Sequence, residues 1–205
     1  MFSVSCVSFY FSDEKSTQAD LMCSLQTDVE YLSLDFAELL KAGDFSDVQL
    51  LCHGGNIPAH RAILAARSKT FWDMFQNNTK ESASGLINLN TTEKSIMELC
   101  LEFIYKGKIL NLPVDKLSSL YELGHMLKIS SLEKMSANMM LTNLCKDNYI
   151  SYLVLADKYN DDNFKRGLID YISEHTDLLK SENWKKFSRQ HLETAVDVYE
   201  KCMFK

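Results

Sequence analysis

Proline is almost missing: Pro58 and Pro113 are the only two in 205 residues. A chain so seldom interrupted is free to run in helices, because proline removes a backbone donor and clashes with the preceding turn. No stretch approaches the ~18 uninterrupted apolar residues of a membrane-spanning helix. The opening MFSVSCVSFYF also lacks the marks of a secretory signal. It has no basic leading segment, serines break its apolar run, and no small-x-small cleavage pattern follows. Nucleus or cytoplasm is the expected location, and no membrane is expected as a partner.

Basic charge is scarce where a polyanion would need it. The net charge is −6, and residues 1–43 hold seven acids against two bases, so five of the six excess charges lie there. No Lys/Arg stripe is available to neutralise phosphates, which argues against nucleic acid as a partner of this chain alone. Cys6, Cys23, Cys52, Cys100, Cys145 and Cys202 stand far apart, with no C-x-x-C pair and no histidine at ligand spacing. Several sit among apolar residues, as free thiols do in a reducing compartment, so no structural zinc is expected.

Catalytic signatures are missing as well. The chain has no G-x-S-x-G, no glycine-rich phosphate loop, no H-E-x-x-H and no acidic calcium loop. Asp161-Asp162-Asn163 reads as a helix cap ahead of Phe164, since a short acidic side chain satisfies free backbone N–H groups there. His53, His125, His175 and His191 are scattered and read as turn or surface residues. Neither a catalytic site nor a cofactor is expected.

What is present is an ordinary globular mixture, 46% hydrophobic and 11% aromatic. Alternation through Ser3–Phe11, followed by ADLMCSLQ after a polar turn, predicts two short strands. From Tyr31 the period becomes helical, with Leu32, Phe36, Leu39 and Leu40 on one face and Gly43 as a stop. That face needs a cover, from elsewhere in the chain or from a second subunit. Val48, Leu50 and Cys52 alternate in a strand, His53-Gly54-Gly55-Asn56 turns, and Ile57 begins the return. A short helix from Arg61 and another through Phe71, Met74 and Phe75 follow, then a strand LINL. Asn90 and Glu93 read as a capping box for a helix bearing Ile96, Leu99, Cys100 and Phe103, stopped at Gly107. Beyond Pro113 every periodic segment is helical, including one opened by Ser130 and Glu133 as a second capping box. The expected class is α+β: a three-stranded unit running directly into a helical extension.

The stretch DFSDVQLLC…IPAHRAILAARSKTFWDMF…FIYKGKILNL resembles a BTB/POZ domain, and most closely the speckle-type POZ protein family, which pairs a MATH domain with BTB. The segment NLCKDNYISYLVLADKYNDDNFKRGLIDYISEH is similar to that family's 3-box and the start of its BACK domain. The resemblance implies a BTB/POZ fold over 31–141, a 3-box and partial BACK region over 142–205, and a remnant of the last MATH strands over 1–30. It implies a non-catalytic adaptor that homodimerises and docks a cullin-3 ubiquitin ligase, with full-length MATH-BTB proteins as further partners. A dimeric scaffold, a transcriptional regulator, or an interfering partner of the full-length adaptors stays open as the alternative.

Site residues follow from the same resemblance. Leu32, Phe36, Leu39, Leu40, Asp47 and Arg61 fall at the dimer interface, an unpaired buried charge being costly; for Arg61 the alternative is a stem that reaches to solvent. His60 is either an interface residue or a satisfied histidine at a strand end. Cullin docking falls to Met74, Phe75, Thr79, Glu81, Leu144 and Tyr149. Thr79 stands where the family places an apolar anchor, a change worth roughly 1–3 kcal/mol, or ten- to a hundredfold in affinity. Tyr199 corresponds to a second self-association surface, unless it packs inside its own helix pair.

Overall fold

The computed structural model describes residues 14–76 and 83–203, with 14–27 as backbone only. Helix α1 (Glu14–Ala42) leads into strands β1 (Val48–His53) and β2 (Gly55–Ala59). Helices α2 (Arg61–Arg67) and α3 (Lys69–Phe75) precede β3 (Leu86–Glu93) and α4 (Lys94–Lys106). The remainder is helical: α5 (Leu117–Leu127), α6 (Ser130–Thr142), α7 (Tyr149–Tyr159), α8 (Asp162–Glu174), α9 (Glu182–Gln190) and α10 (Leu192–Met203).

Among the described residues the three strands form one sheet in the order β2-β1-β3. β1 pairs antiparallel with β2, Leu50 opposite Ile57, and parallel with β3, Leu50 opposite Ile87. The parallel pair needs a crossover, which α2 and α3 supply. Pro58 is tolerated because β2 is an edge strand. Val48, Leu50 and Cys52 are buried while Gln49 and Leu51 are only half so, the alternation that their spacing predicts.

Two apolar clusters make the core. The first joins the sheet to α2, α3, α4 and α5 around Leu50, Leu64, Phe71, Met97 and Cys100. The second gathers the later helices around Met140, Leu153, Phe164, Leu168, Trp184 and Val198. Helix α5 belongs to both: Leu120, Leu123 and Leu127 enter the first and Leu117 and Tyr121 the second. The α+β unit and its extension therefore share a spine.

Several ends fall as the sequence indicates. Gly107 adopts φ 75° and its N–H meets the Phe103 carbonyl at 2.8 Å, closing α4 in a left-handed conformation that glycine adopts without a Cβ clash. Asp161 caps α8, its carboxylate accepting from the Phe164 N–H at 3.0 Å. Others differ. ADLMCSLQ, expected as a strand, lies within α1; the strand expected over Ser3–Phe11 falls outside the described residues. Asn90 and Glu93 form no capping box, because pairing with β1 extends β3 through Glu93, opposite His53. Ser130 is the first residue of α6, behind a buried Ile129, and Glu133 turns toward His125.

The histidines are also better packed than expected. The His125 ring stacks on Tyr159 at 4.2 Å and meets Tyr121 edge-on. His175 stacks on Tyr171 and His191 on Phe187. Free thiols at Cys52 and Cys100 are buried, and burial pushes both upward in pKa.

Candidate protein-interaction surface

Helix α1 lies along α4, pinned where the Ser33 hydroxyl donates to the Lys106 carbonyl at 3.2 Å. Of its expected interface residues, Phe36 and Leu40 pack on the first core and Leu39 is half-buried. Leu32 is 55% exposed, and Val29, Tyr31 and Leu34 are exposed beside it. The described residues therefore cover only part of the apolar face. Between α1, α2 and the end of α4 a groove of about 440 Å³ is lined by Val29, Leu32, Phe36, Ala62, Ile63 and Ala66, with Arg67 at its edge. Sequence reasoning missed Val29 and the α2 contribution. The signal was there, since Ala62, Ile63 and Ala66 recur at helical spacing on the face opposite Leu64.

Tyr105, which also lines this groove, is bound to His60. The histidine is buried, and both ring nitrogens are engaged: Nδ1 lies 2.8 Å from the Tyr105 hydroxyl and Nε2 lies 2.7 Å from the Asp44 carbonyl. Its backbone N–H donates to the same Tyr105 oxygen at 3.0 Å. A satisfied histidine at a strand end describes it well. Burial pushes the Tyr105 phenol up to about 12, so the hydroxyl keeps its proton at neutral pH.

Asp47 and Arg61 do meet, inside one chain. The Asp47 carboxylate accepts from the Arg61 backbone N–H at 2.8 Å, and the Asp47 carbonyl accepts from Arg61 Nε at 3.1 Å. Because the His60 ring is occupied elsewhere, Asp47 caps α2 in its place. The Arg61 guanidinium lies 5.4 Å from the centre of the Phe75 ring.

A second surface lies at α3. The Thr70 hydroxyl donates to the Met126 carbonyl at 3.0 Å and Ser68 Oγ donates to Leu127 at 2.5 Å, fastening α3 to the end of α5. Trp72 and Met126, 49% and 44% exposed, project from these two adjoining elements. Neither was among the expected docking residues, and an apolar residue off the buried stripe of a short helix gives little signal. Met74 and Phe75 are half-buried against the first core, and Phe75 stacks on Phe71. Thr79 and Glu81 lie outside the described residues.

The expected C-terminal contacts are largely internal. Tyr149 is buried, its hydroxyl 3.1 Å from Ser181 Oγ, so it cannot touch a partner directly. Leu144 packs at the edge of the second core. Tyr199 accepts a hydrogen bond from the buried Trp184 indole at 2.8 Å, an internal contact, and the residue is 42% exposed. Asp157 ties these helices together: it receives Lys165 at 2.7 Å, Thr194 at 2.7 Å and His191 at 3.1 Å.

Among the described residues no three His, Cys, Asp or Glu side chains converge as a metal site, and no helix is long and apolar enough to cross a membrane. A further concavity of about 630 Å³ is lined by mixed polar groups including His125, Glu133, Tyr159 and Asp161.

The family model for the BTB/POZ domain matches residues 36–144. TD and POZ domain-containing protein 1 of Mus musculus is 28% identical over 175 residues, 82% of this chain and 47% of its own length. The chain thus spans about half the length of that relative. Among solved structures, the BTB domain of zebrafish PATZ1 aligns with 65% of this chain and 99% of its own, at a TM-score of 0.46 and 22% identity.

Proposed function

The chain belongs to the BTB/POZ family, whose domain serves protein interaction and dimerisation, and from that premise we propose that it is a non-catalytic adaptor of the speckle-type POZ kind. It homodimerises through α1 and α2 and docks a cullin-3 scaffold on the α3 side, promoting ubiquitination and degradation of a bound substrate. The observation that carries this reading is the pair of separate apolar surfaces. One is the groove at Val29, Leu32 and Ile63; the other is the Trp72–Met126 face. Exposed apolar groups rimmed by polar ones mark sites of protein contact, and aromatic anchors supply much of the binding energy at such sites.

Two surfaces suit an adaptor better than a simple dimer, because a second copy occupies only one of them. Helices α7 and α8 support the same reading: they pack onto α5 and α6, and α5 carries Met126 beside α3. Light scattering of the full chain, alone and with the N-terminal domain of cullin-3, tests this. The expected result is a dimer that takes up two cullin chains. A dimer that ignores cullin at high concentration would leave the scaffold or interfering-partner reading in its place.

A further inference from the structure

Phe45 is the anomaly of the molecule. It lies in the loop between α1 and β1, 91% exposed, with a backbone φ of 59°. A bulky side chain in the left-handed region is strained, and such strain persists only where the surroundings fix it. Here they do. The Ser46 N–H meets the Gly43 carbonyl at 3.3 Å, and the Asp44 carbonyl is held by His60 Nε2 at 2.7 Å. The next residue, Asp47, has its N–H on the Ala59 carbonyl at 3.2 Å and its carboxylate on the cap of α2. Both sides of Phe45 are tied, and the phenyl ring is aimed at solvent at the expense of apolar exposure and backbone strain.

We infer that Phe45 is a dimer anchor that enters the groove of a second copy between α1 and α2, with Asp44 meeting the partner copy's Arg67 at the groove edge. The proposal rests on the dimer reading above. Charge and shape favour this occupant: the loop offers an aromatic ring beside the exposed residue Asp44, and the groove offers Val29, Leu32 and Ile63 beside the exposed residue Arg67, whose guanidinium lies 5.8 Å from the Phe103 ring centre. The loop also continues directly from α1. In a twofold dimer each patch meets its counterpart reciprocally. In the dimer proposed here the two α1 helices run antiparallel, which turns the loop after α1 of one copy toward the N-terminal part of the other's α1. The loop of each copy then falls over the Val29 end of the other's groove, and each dimer contains the contact twice.

The test is sedimentation of the full chain over a range of concentrations, using Phe45→Gly. Glycine accepts the left-handed backbone, so the loop keeps its turn while the ring is lost; Phe45→Asn, which also tolerates that conformation, repeats the test with a side chain present. The expected result is a folded variant with an undiminished unfolding midpoint and a dimer dissociation constant raised by at least about tenfold. Asp44→Arg and Arg67→Asp should each weaken the dimer, and the two combined should restore most of it. A wild-type dimer whose glycine variant is equally tight, or a charge exchange that restores nothing, would overturn the anchor and leave the dimer standing. A wild-type chain that stays monomeric throughout would instead remove the dimer reading itself.

Discussion

The imidazole of His60 is held between the hydroxyl of Tyr105, 2.8 Å from Nδ1, and the carbonyl of Asp44, 2.7 Å from Nε2. A carbonyl only accepts, so Nε2 carries the proton; in the neutral ring Nδ1 then accepts from the tyrosine O–H. One side chain thereby joins the loop after α1, the start of α2 and the end of α4, the elements that frame the groove.

Removing the hydroxyl tests that junction. Tyr105→Phe leaves the His60 N–H and Nδ1 without their partner in a buried site, a loss of about 1–3 kcal/mol. Chemical denaturation should show it as a lower midpoint with an unchanged slope. A variant as stable as the wild type would mean that water replaces the hydroxyl.

Asp47 caps α2. Asp47→Ala removes the acceptor for the Arg61 N–H and should cost about 0.5–2 kcal/mol, while Asp47→Asn, which keeps an oxygen, should cost less. Equal losses in the two variants would point to the charge of Asp47 and away from its hydrogen bond.

Acid sensitivity should concentrate at Asp157. Burial alone would raise its carboxyl, but hydrogen bonds from Lys165 and Thr194, with His191 nearby, outweigh burial and hold it below the usual value. A carboxyl depressed in the folded state contributes stability that is whole above its unfolded value, about 3.9. That contribution is lost as pH falls through the folded value. The stability gap between wild type and Asp157→Asn should therefore be constant near neutrality and shrink below about pH 4. A gap that persists undiminished into acid, followed by urea unfolding, would show that the carboxylate charge contributes nothing.

In the proposed function Trp72 anchors the second surface. Trp72→Ala should weaken cullin-3 binding roughly ten- to a hundredfold while leaving the dimer intact. Calorimetry reads the first effect and sedimentation the second. Unaltered cullin affinity would move the docking site off α3.

The docking residues show where reading the sequence stops. Spacing marks Tyr149 and Leu144 as apolar positions on a helical segment, and it marks Leu32 and Phe36 in the same way. It does not say which of them another element covers. Tyr149 is buried beneath the Ser181 turn and Phe36 rests on the core, whereas Leu32 stays open and Trp72 faces outward. Phe45 belongs to the stretch that carries the family resemblance, but its outward aim left no periodic signal, because one aromatic in a loop has no period.

What the sequence determined by itself is local. The alternation of Val48, Leu50 and Cys52, the stop at Gly107, the cap at Asp161 and the motif from Phe45 through Gly107 depend on neighbours within a few positions. These were enough to indicate an α+β unit with a helical extension. The tertiary structure decided the rest. Asp47 reaches across to cap α2, and Tyr105 and Asp44, 45 and 16 positions away from His60, close on its ring. Each of these depends on which distant groups arrive at one place, and periodicity records the polarity of a residue without recording its cover.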